Sequence, residues 1–341
     1  MNRFLKPRAV ANPTLQPSIV SIESIRSLIA PDMLAVDDVI RRNLYSDVAL
    51  VRQIGEYIIS AGGKRLRPVL VLLSAGAFDY KGNAHHDLAA VVEFIHTATL
   101  LHDDVVDESD LRRGRKTANA MFGNAASVLV GDFLYSRAFQ MMVKVGSMRV
   151  QEVLAEATNV IAEGEVLQLM NIHNADIDEA DYMQVIQYKT AKLFEAAARL
   201  GAILGNASPQ QESAMAEYGM LLGTAFQIVD DVLDYTGDAA TIGKNLGDDL
   251  AEGKPTLPLI YTMQRGTAEQ SALARQVIEQ GGLEAFDEIV AAVRACGALE
   301  AAMDTANRIK QQAIDCLDLL PPSQFKNTLL ELALFAVDRK S

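Results

Sequence analysis

The sequence predicts an all-α protein, a single large helical bundle around a deep central cavity. Three observations carry this. Apolar residues recur at three- and four-residue spacing almost everywhere after about residue 24. Alternating period-two segments bounded by hairpin turns are missing. The breaks between periodic segments are too short to act as interdomain linkers. Helices of ~20 residues reach ~30 Å, enough to enclose one central space.

In chain order, Arg3, Lys6 and Arg8 precede Pro13 and Pro17, with no acidic residue before Glu23. The basic bias suits a transit peptide, but the prolines oppose an amphipathic helix and no signal-type apolar core exists. Residues 1–24 therefore read as a disordered tail and 25–341 as one helical domain. Ile40, Leu44, Val48, Val51, Ile54 and Ile58 then trace one buried helical face. Gly62-Gly63 breaks the pattern before an apolar run at Val69 to Leu73, too short for a bilayer, which needs ~20 residues. Helical periodicity continues through Leu88–Val106, Ala125–Val145, Val150–Met170, Ala180–Leu204 and Met215–Leu233. It returns near 282–297, 299–319 and 325–337. Glycine and proline punctuate the gaps at Gly82, Gly114, Gly146, Pro209, Gly237 and Gly253-Lys254-Pro255.

Composition narrows the function. Half of the 341 residues are hydrophobic and 22% are charged, as in a globular protein. A net charge of −13 opposes a nucleic-acid surface, so any anion site must be assembled locally from cations. Cys296 and Cys316 lack metal-type spacing and read as small core residues, consistent with a reducing cytoplasm.

Asp103-Asp104-Val105-Val106-Asp107 and Asp230-Asp231-Val232-Leu233-Asp234 share the spacing DDxxD. On a helix the first and last aspartates of each cluster fall on one face. Like charges at that spacing cost roughly 0.2–0.5 kcal/mol per pair, and the apolar neighbours add desolvation. A bound cation reverses the sign. Hard oxygen ligands suit Mg²⁺. A solvated acidic patch is the plain alternative, weakened by the match between two clusters. A calcium loop fails for want of alternating aspartates and a glycine turn.

Basic residues stand where two diphosphates would need them. Arg112-Arg113-Gly114 follows the first cluster at the expected helix end, and Gly62-Gly63-Lys64-Arg65-Leu66-Arg67-Pro68 surrounds a glycine turn leading into a helix. Lys244 and Lys254 follow the second cluster. Each basic cluster alone reads as solvated surface; together with the carboxylates they suit a metal–diphosphate site. His96 lies seven residues before Asp103 on nearly the same face, either satisfied in the core or donating to phosphate. His85 and His86 read as surface residues where a helix starts. Gln227 shares the face of Asp230.

These residues resemble a known family. Phe94-Ile95-His96 through Leu101-His102-Asp103 to Ser109, then Arg112-Arg113-Gly114, is similar to the first aspartate-rich motif of the trans-isoprenyl (polyprenyl) diphosphate synthases. Gly223 to Asp231 resembles the second. Gly123 to Asp132 and Ala162 to Leu169 point to the bacterial long-chain branch that makes eight-unit chains. The resemblance covers nearly everything from about residue 30 and implies the isoprenoid synthase type of helical bundle. It implies that Asp103, Asp107 and Asp230 ligate Mg²⁺ (three ions once the allylic diphosphate is bound), with Asp104, Asp231 and Asp234 in support. Lys64, Arg67, His96 and Arg113 would hold isopentenyl diphosphate. Arg112, Lys244 and Lys254 would face the allylic substrate, and Lys189, Thr190 and Gln227 would line the reacting centre. The ending Asp338-Arg339-Lys340-Ser341 matches the family's basic terminus imperfectly and receives no role.

Small Ala98 and Thr99, five and four positions before Asp103, are expected to leave the growing chain room, with Phe139, Met142 and Leu154 as candidate tunnel floor. The resemblance further implies a cytoplasmic bacterial homodimer without a transmembrane segment, making transient membrane contact at product release and supplying the side chain of ubiquinone or another quinone. A synthase of shorter products (farnesyl or geranylgeranyl), a terpene cyclase and a non-catalytic subunit of a heteromeric synthase remain as alternatives. Complete aspartate clusters oppose the last.

Overall fold

Residues 21–60, 62–236 and 247–339 are described by the structure, a computed structural model. The chain turns helical at Ile22, where Ser21 and Ser24 form a reciprocal capping box. Residues 22–24 thus belong to α1 (Ile22–Ser27) and not to the expected tail. The face expected to run from Ile40 to Ile58 is split in two. Helix α2 (Ala30–Leu44) stops at extended Tyr45, the Ser46 hydroxyl accepts from the Val48 N–H at 3.2 Å, and α3 (Ala49–Ser60) starts afresh. A short side-chain turn of this kind competes with the helix, and it leaves Val48 59% exposed.

Two apolar helices form the middle of the molecule. Leu70, Val71 and Leu73 on α4 (Leu66–Ala77) are fully buried, as are Val91, Val92 and Phe94 on α5 (Ala84–Val106). The chain then passes through α6 (Ala118–Phe122) into α7 (Asn124–Lys144), which lies along α5, and α8 (Met148–Asn171). The segment expected as one helix from Ala180 to Leu204 is α9 (Glu179–Ile186), a π-helical turn at Gln187–Ala191, and α10 (Lys192–Leu204). Helix α11 (Pro209–Thr236) packs against α10 on one side.

After the second aspartate cluster come α12 (Asp248–Ala251), α13 (Leu257–Arg265), α14 (Ala268–Gln280), α15 (Phe286–Ala295) and α16 (Ala298–Cys316). Helix α16 packs on α11, and α17 (Gln324–Asp338) returns to α4. The core is therefore in two parts, one around α4, α5, α7 and α10 and the other around α13 to α16, with α11 contributing to both. Cys296 and Cys316 are half-buried at helix ends, less enclosed than core residues.

The all-α expectation holds with one small addition. Arg112 to Gly114 is not a helix end but the turn of a two-residue antiparallel pair, β1 (Leu111–Arg112) and β2 (Arg115–Lys116). Arg113 and Gly114 both take positive φ, 55° and 72°, the backbone that a tight hairpin requires.

Candidate active site

The C-terminal ends of α5 and α11 open into one cavity of about 420 Å³. Asp103 and Asp107 line it from one side, and Asp230, Asp231 and Asp234 from the other. Asp248, Asp249 and Glu252 add carboxylates, while Lys64, Arg112, Arg113, Lys189, Lys254 and Arg339 supply cations. Acid exceeds base along the cavity wall, so the site as a whole favours a bound cation.

The first cluster is held by lysines at a distance. Lys189 Nζ lies 3.8 Å from Asp103 Oδ2, and Lys254 Nζ lies 3.3 Å from Asp107 Oδ2. Both separations exceed the ~2.7–2.9 Å of a tight charge-assisted hydrogen bond. Burial raises the Asp103 carboxyl, against the pull of Lys189. Burial also opposes charge on Lys254, yet Asp249, Asp107 and Glu252 together hold it above the ordinary lysine range. These oxygens are hard and incompletely neutralised, which fits a divalent ion such as Mg²⁺.

Asp104 faces the other way. It is fully buried and its Oδ1 accepts from Arg112 Nε and Nη2, each at 2.7 Å. Arg112 lines the cavity, but its fork is taken up by this aspartate, so it holds the hairpin to α5.

The second cluster contains a polar chain. The Thr190 hydroxyl donates to Gln227 Oε1 at 3.0 Å, Gln227 Nε2 donates to Asp231 Oδ1 at 2.8 Å, and the Tyr182 hydroxyl donates to Asp231 Oδ2 at 2.6 Å. Burial first, then the charge of Asp249, pushes the Asp231 carboxyl up to about 8 against these donors. Asp230 is paired with Arg339, whose Nη2 lies 2.7 Å from its Oδ1. The Arg339 guanidinium also stands 4.0 Å over the Phe226 ring and donates to the Phe226 carbonyl at 2.9 Å. The C-terminal arginine, given no role from sequence, belongs to the site.

Lys189 and Thr190 sit in the π-helical turn, where the extra residue re-aims side chains. The turn lies directly against α8, because a Cβ on Gly164 would fall 2.6 Å from the Lys189 backbone nitrogen. The next residue, Glu165, pairs with Lys189 Nζ at 2.6 Å, and burial raises its carboxyl to about 7. Glu165 falls within the Ala162–Leu169 motif, and its signal in the sequence is the glycine before it.

Of the expected isopentenyl diphosphate residues, Lys64 and Arg113 line the same cavity, whereas Arg67 and His96 do not. Burial lowers Lys64 to about 8, helped by the charges of Arg339 and Arg113. Arg67 stands 4.5 Å over the Phe194 ring, and burial lowers it to about 10. Burial, then Arg67, Arg113 and Arg112, keeps His96 well below its usual value, so the ring is neutral. Arg113 lies on Gly63, where a Cβ would come within 2.6 Å of its Nη1, and φ there is +138°. Mutually opposed cations make an anion site. Glu93, missed in the sequence, moderates the repulsion from within: it is influenced by Arg65, Arg67 and Arg113, and burial raises its carboxyl. Lys244 lies outside the described residues.

Neither Ala98 nor Thr99 lines the cavity. Ala98 is 0% exposed in the core, and the half-buried Thr99 hydroxyl donates to the His96 carbonyl at 2.8 Å. Met142 and Leu154 are buried, but Phe139 faces outward at 36% exposure and is a poor candidate for a tunnel floor.

Comparison with known proteins agrees with this geometry. The family model described as "Polyprenyl synthetase" matches residues 48–295. Octaprenyl diphosphate synthase of Escherichia coli (strain K12) is 55% identical over 321 residues, 94% of this chain and 99% of that protein. The all-trans-nonaprenyl-diphosphate synthase (geranyl-diphosphate specific) of Rhodobacter capsulatus is 45% identical over 318 residues, 93% of this chain and 98% of its own. A crystal structure of polyprenyl synthase from Caulobacter crescentus CB15, complexed with calcium and isoprenyl diphosphate, superposes with a TM-score of 0.92 at 43% identity, covering 96% of this chain and 100% of that one. Two aspartate-bearing helix ends on one cavity that basic residues also line, together with similarity along nearly the whole chain, place this protein in the polyprenyl synthetase family.

Proposed function

We propose that the protein is a Mg²⁺-dependent octaprenyl diphosphate synthase, adding isopentenyl diphosphate repeatedly to an allylic primer such as farnesyl diphosphate. The observation that carries this reading is the shared cavity between Asp103/Asp107 and Asp230/Asp231/Asp234, which Lys64, Arg112, Arg113, Lys189, Lys254 and Arg339 also line. Its 55% identity to the Escherichia coli octaprenyl enzyme supports the eight-unit product, and the calcium and isoprenyl diphosphate bound to the Caulobacter protein support a divalent ion beside a diphosphate.

Asp103, Asp107 and Asp230 are the residues that would hold Mg²⁺, which when bound neutralises the departing diphosphate. Arg112 and Lys254 orient that diphosphate, and Lys64, Arg67, Arg113 and neutral His96 hold the second one. As positive charge develops on the allylic carbon, the Thr190 hydroxyl oxygen and the Gln227 amide face it with fixed dipoles. Glu165 and Asp103 keep Lys189 charged and in place. The buried surroundings keep water from the carbon until the isopentenyl double bond reaches it, and the released diphosphate takes the leaving proton.

The reading includes a cytoplasmic homodimer with transient membrane contact at product release, feeding a quinone side chain. Exposed apolar residues on α7 and α8, among them Leu129, Val143, Val166 and Leu169, support a subunit interface. Among the described residues no helix is long and apolar enough to cross a membrane. The test uses purified chain alone with farnesyl diphosphate, isopentenyl diphosphate and Mg²⁺, with products sized by mass spectrometry. A dominant eight-unit product is expected; products of twenty carbons or fewer overturn the long-chain reading, and no turnover overturns the enzyme reading.

A further inference from the structure

We propose that Asp32, His85 and His86 form a second metal site, one that takes a zinc-type transition-metal ion and is separate from the aspartate cavity. Asp32 stands in the first turn of α2, and both histidines stand in the first turn of α5. The two imidazoles converge on one carboxylate oxygen: Asp32 Oδ1 lies 2.8 Å from His86 Nε2 and 3.4 Å from His85 Nε2. All three donor atoms lie within 4.8 Å of one another. Tetrahedral zinc with ligands at ~2.0–2.1 Å spaces them by about 3.4 Å, so closing the triad on an ion needs small shifts.

One polar atom of the cluster, His85 Nδ1, is buried without a hydrogen-bond partner. The His rings lie 3.9 Å apart between centroids, tilted by 35°. Burial, then the neighbouring His86, lowers the pKa of His85. Tyr80 packs edge-on against His85 at 5.3 Å and fixes its orientation. The histidine side chains are only 12% and 17% exposed, in place of the open surface expected from sequence, whereas Asp32 is 37% exposed and leaves a side open for a water as fourth ligand. Imidazole donors favour zinc over magnesium. His85 and Asp103 occupy opposite ends of α5, roughly 27 Å apart at ~1.5 Å per residue. An ion there fastens α2 to the helix that carries the first aspartate cluster, a structural role.

The experiment uses the full untagged chain, stripped with chelator and then held in excess Mg²⁺ to occupy the aspartates. Zinc chloride is titrated by calorimetry and cobalt chloride by visible absorption. One zinc per chain is expected, with tetrahedral cobalt bands and a higher unfolding temperature in zinc. His86→Ala and Asp32→Asn each weaken zinc binding at least about tenfold and abolish the cobalt bands, while Asp103→Asn leaves both intact. Should His85→Ala fail to fold, the other two variants decide. Zinc binding unchanged in both, or absent from the Mg²⁺-saturated wild type, overturns the site.

Discussion

Arg339 Nη2 lies 2.7 Å from Asp230 Oδ1, so the residue that follows α17 reaches back onto one of the acidic helix ends. The Asp230 side chain is 39% exposed, and a pair screened to that extent contributes up to about 1 kcal/mol. An ion at Asp230 has to compete with the guanidinium. Arg339→Ala is therefore expected to lower the Mg²⁺ concentration for half-maximal activity by up to about fivefold. It also removes a cation beside Lys64, so KM for isopentenyl diphosphate rises. Mg²⁺ titrations of initial rate check both, and an unchanged Mg²⁺ requirement would remove Asp230 from the ligand set.

Gly164→Ala tests the seat of the π-helical turn. The new methyl meets the Lys189 backbone nitrogen at 2.6 Å and the Tyr188 Cβ at 2.8 Å, and neither is the loose end of a side chain. Overpacking of this kind costs about 1–3 kcal/mol. Denaturant unfolding should show that loss, and kcat should fall more than the binding of either substrate, because Lys189 and Thr190 move together.

The buried carboxyls predict how Mg²⁺ stabilises the fold. Burial raises Glu165 to about 7 and Asp231 to about 8, and raises Asp103 as well. A carboxyl raised in the fold keeps a proton that the unfolded chain has released, so it lowers stability as pH climbs from about 4 through those values. A bound cation cancels this cost. Thermal unfolding should show a larger stabilisation by Mg²⁺ at pH 8 than at pH 6, and Asp231→Asn should shrink the difference.

Lys64 has the opposite sense. Its lowered pKa of about 8 means that the free enzyme loses this charge as pH rises through that value, while a bound diphosphate restores it. The alkaline fall should therefore appear in kcat/KM for isopentenyl diphosphate more than in kcat. Lys64→Arg keeps its charge, so the fall should move to higher pH; an identical profile in the variant would assign it elsewhere.

Much of this site was legible because its signals are local. Helical spacing gave the long elements, and the repeated DDxxD fixed which helix ends carry acid. What stayed hidden depends on contacts distant in sequence. Glu93 reads as one more helix residue until Arg65, Arg67 and Arg113 fold around it. Tyr182 lies 49 residues from the aspartate it bonds. Apolar period also cannot register a break such as Tyr45–Val48, since both halves keep the same spacing, nor the one extra residue of a π turn inside a continuous helix.

Thr99→Tyr is the sharper test of product length. Ala98 is wholly enclosed in the core, so Ala98→Phe adds a ring where there is no space, and a shorter product could then reflect a damaged fold costing about 1–3 kcal/mol. Thr99 is half-buried one turn from Asp103, and its hydroxyl is occupied only locally, by the His96 carbonyl. Tyrosine at this half-buried position displaces less of the core than phenylalanine at the fully buried Ala98. If the growing chain runs back along α5 from Asp103, the ring stands in its path after the first additions, and mass spectrometry should show products shortened to about twenty carbons with stability near wild type. Full-length product from a stably folded Thr99→Tyr protein would place the tunnel along another face, and Met142 and Leu154 would then lose their place at its far end.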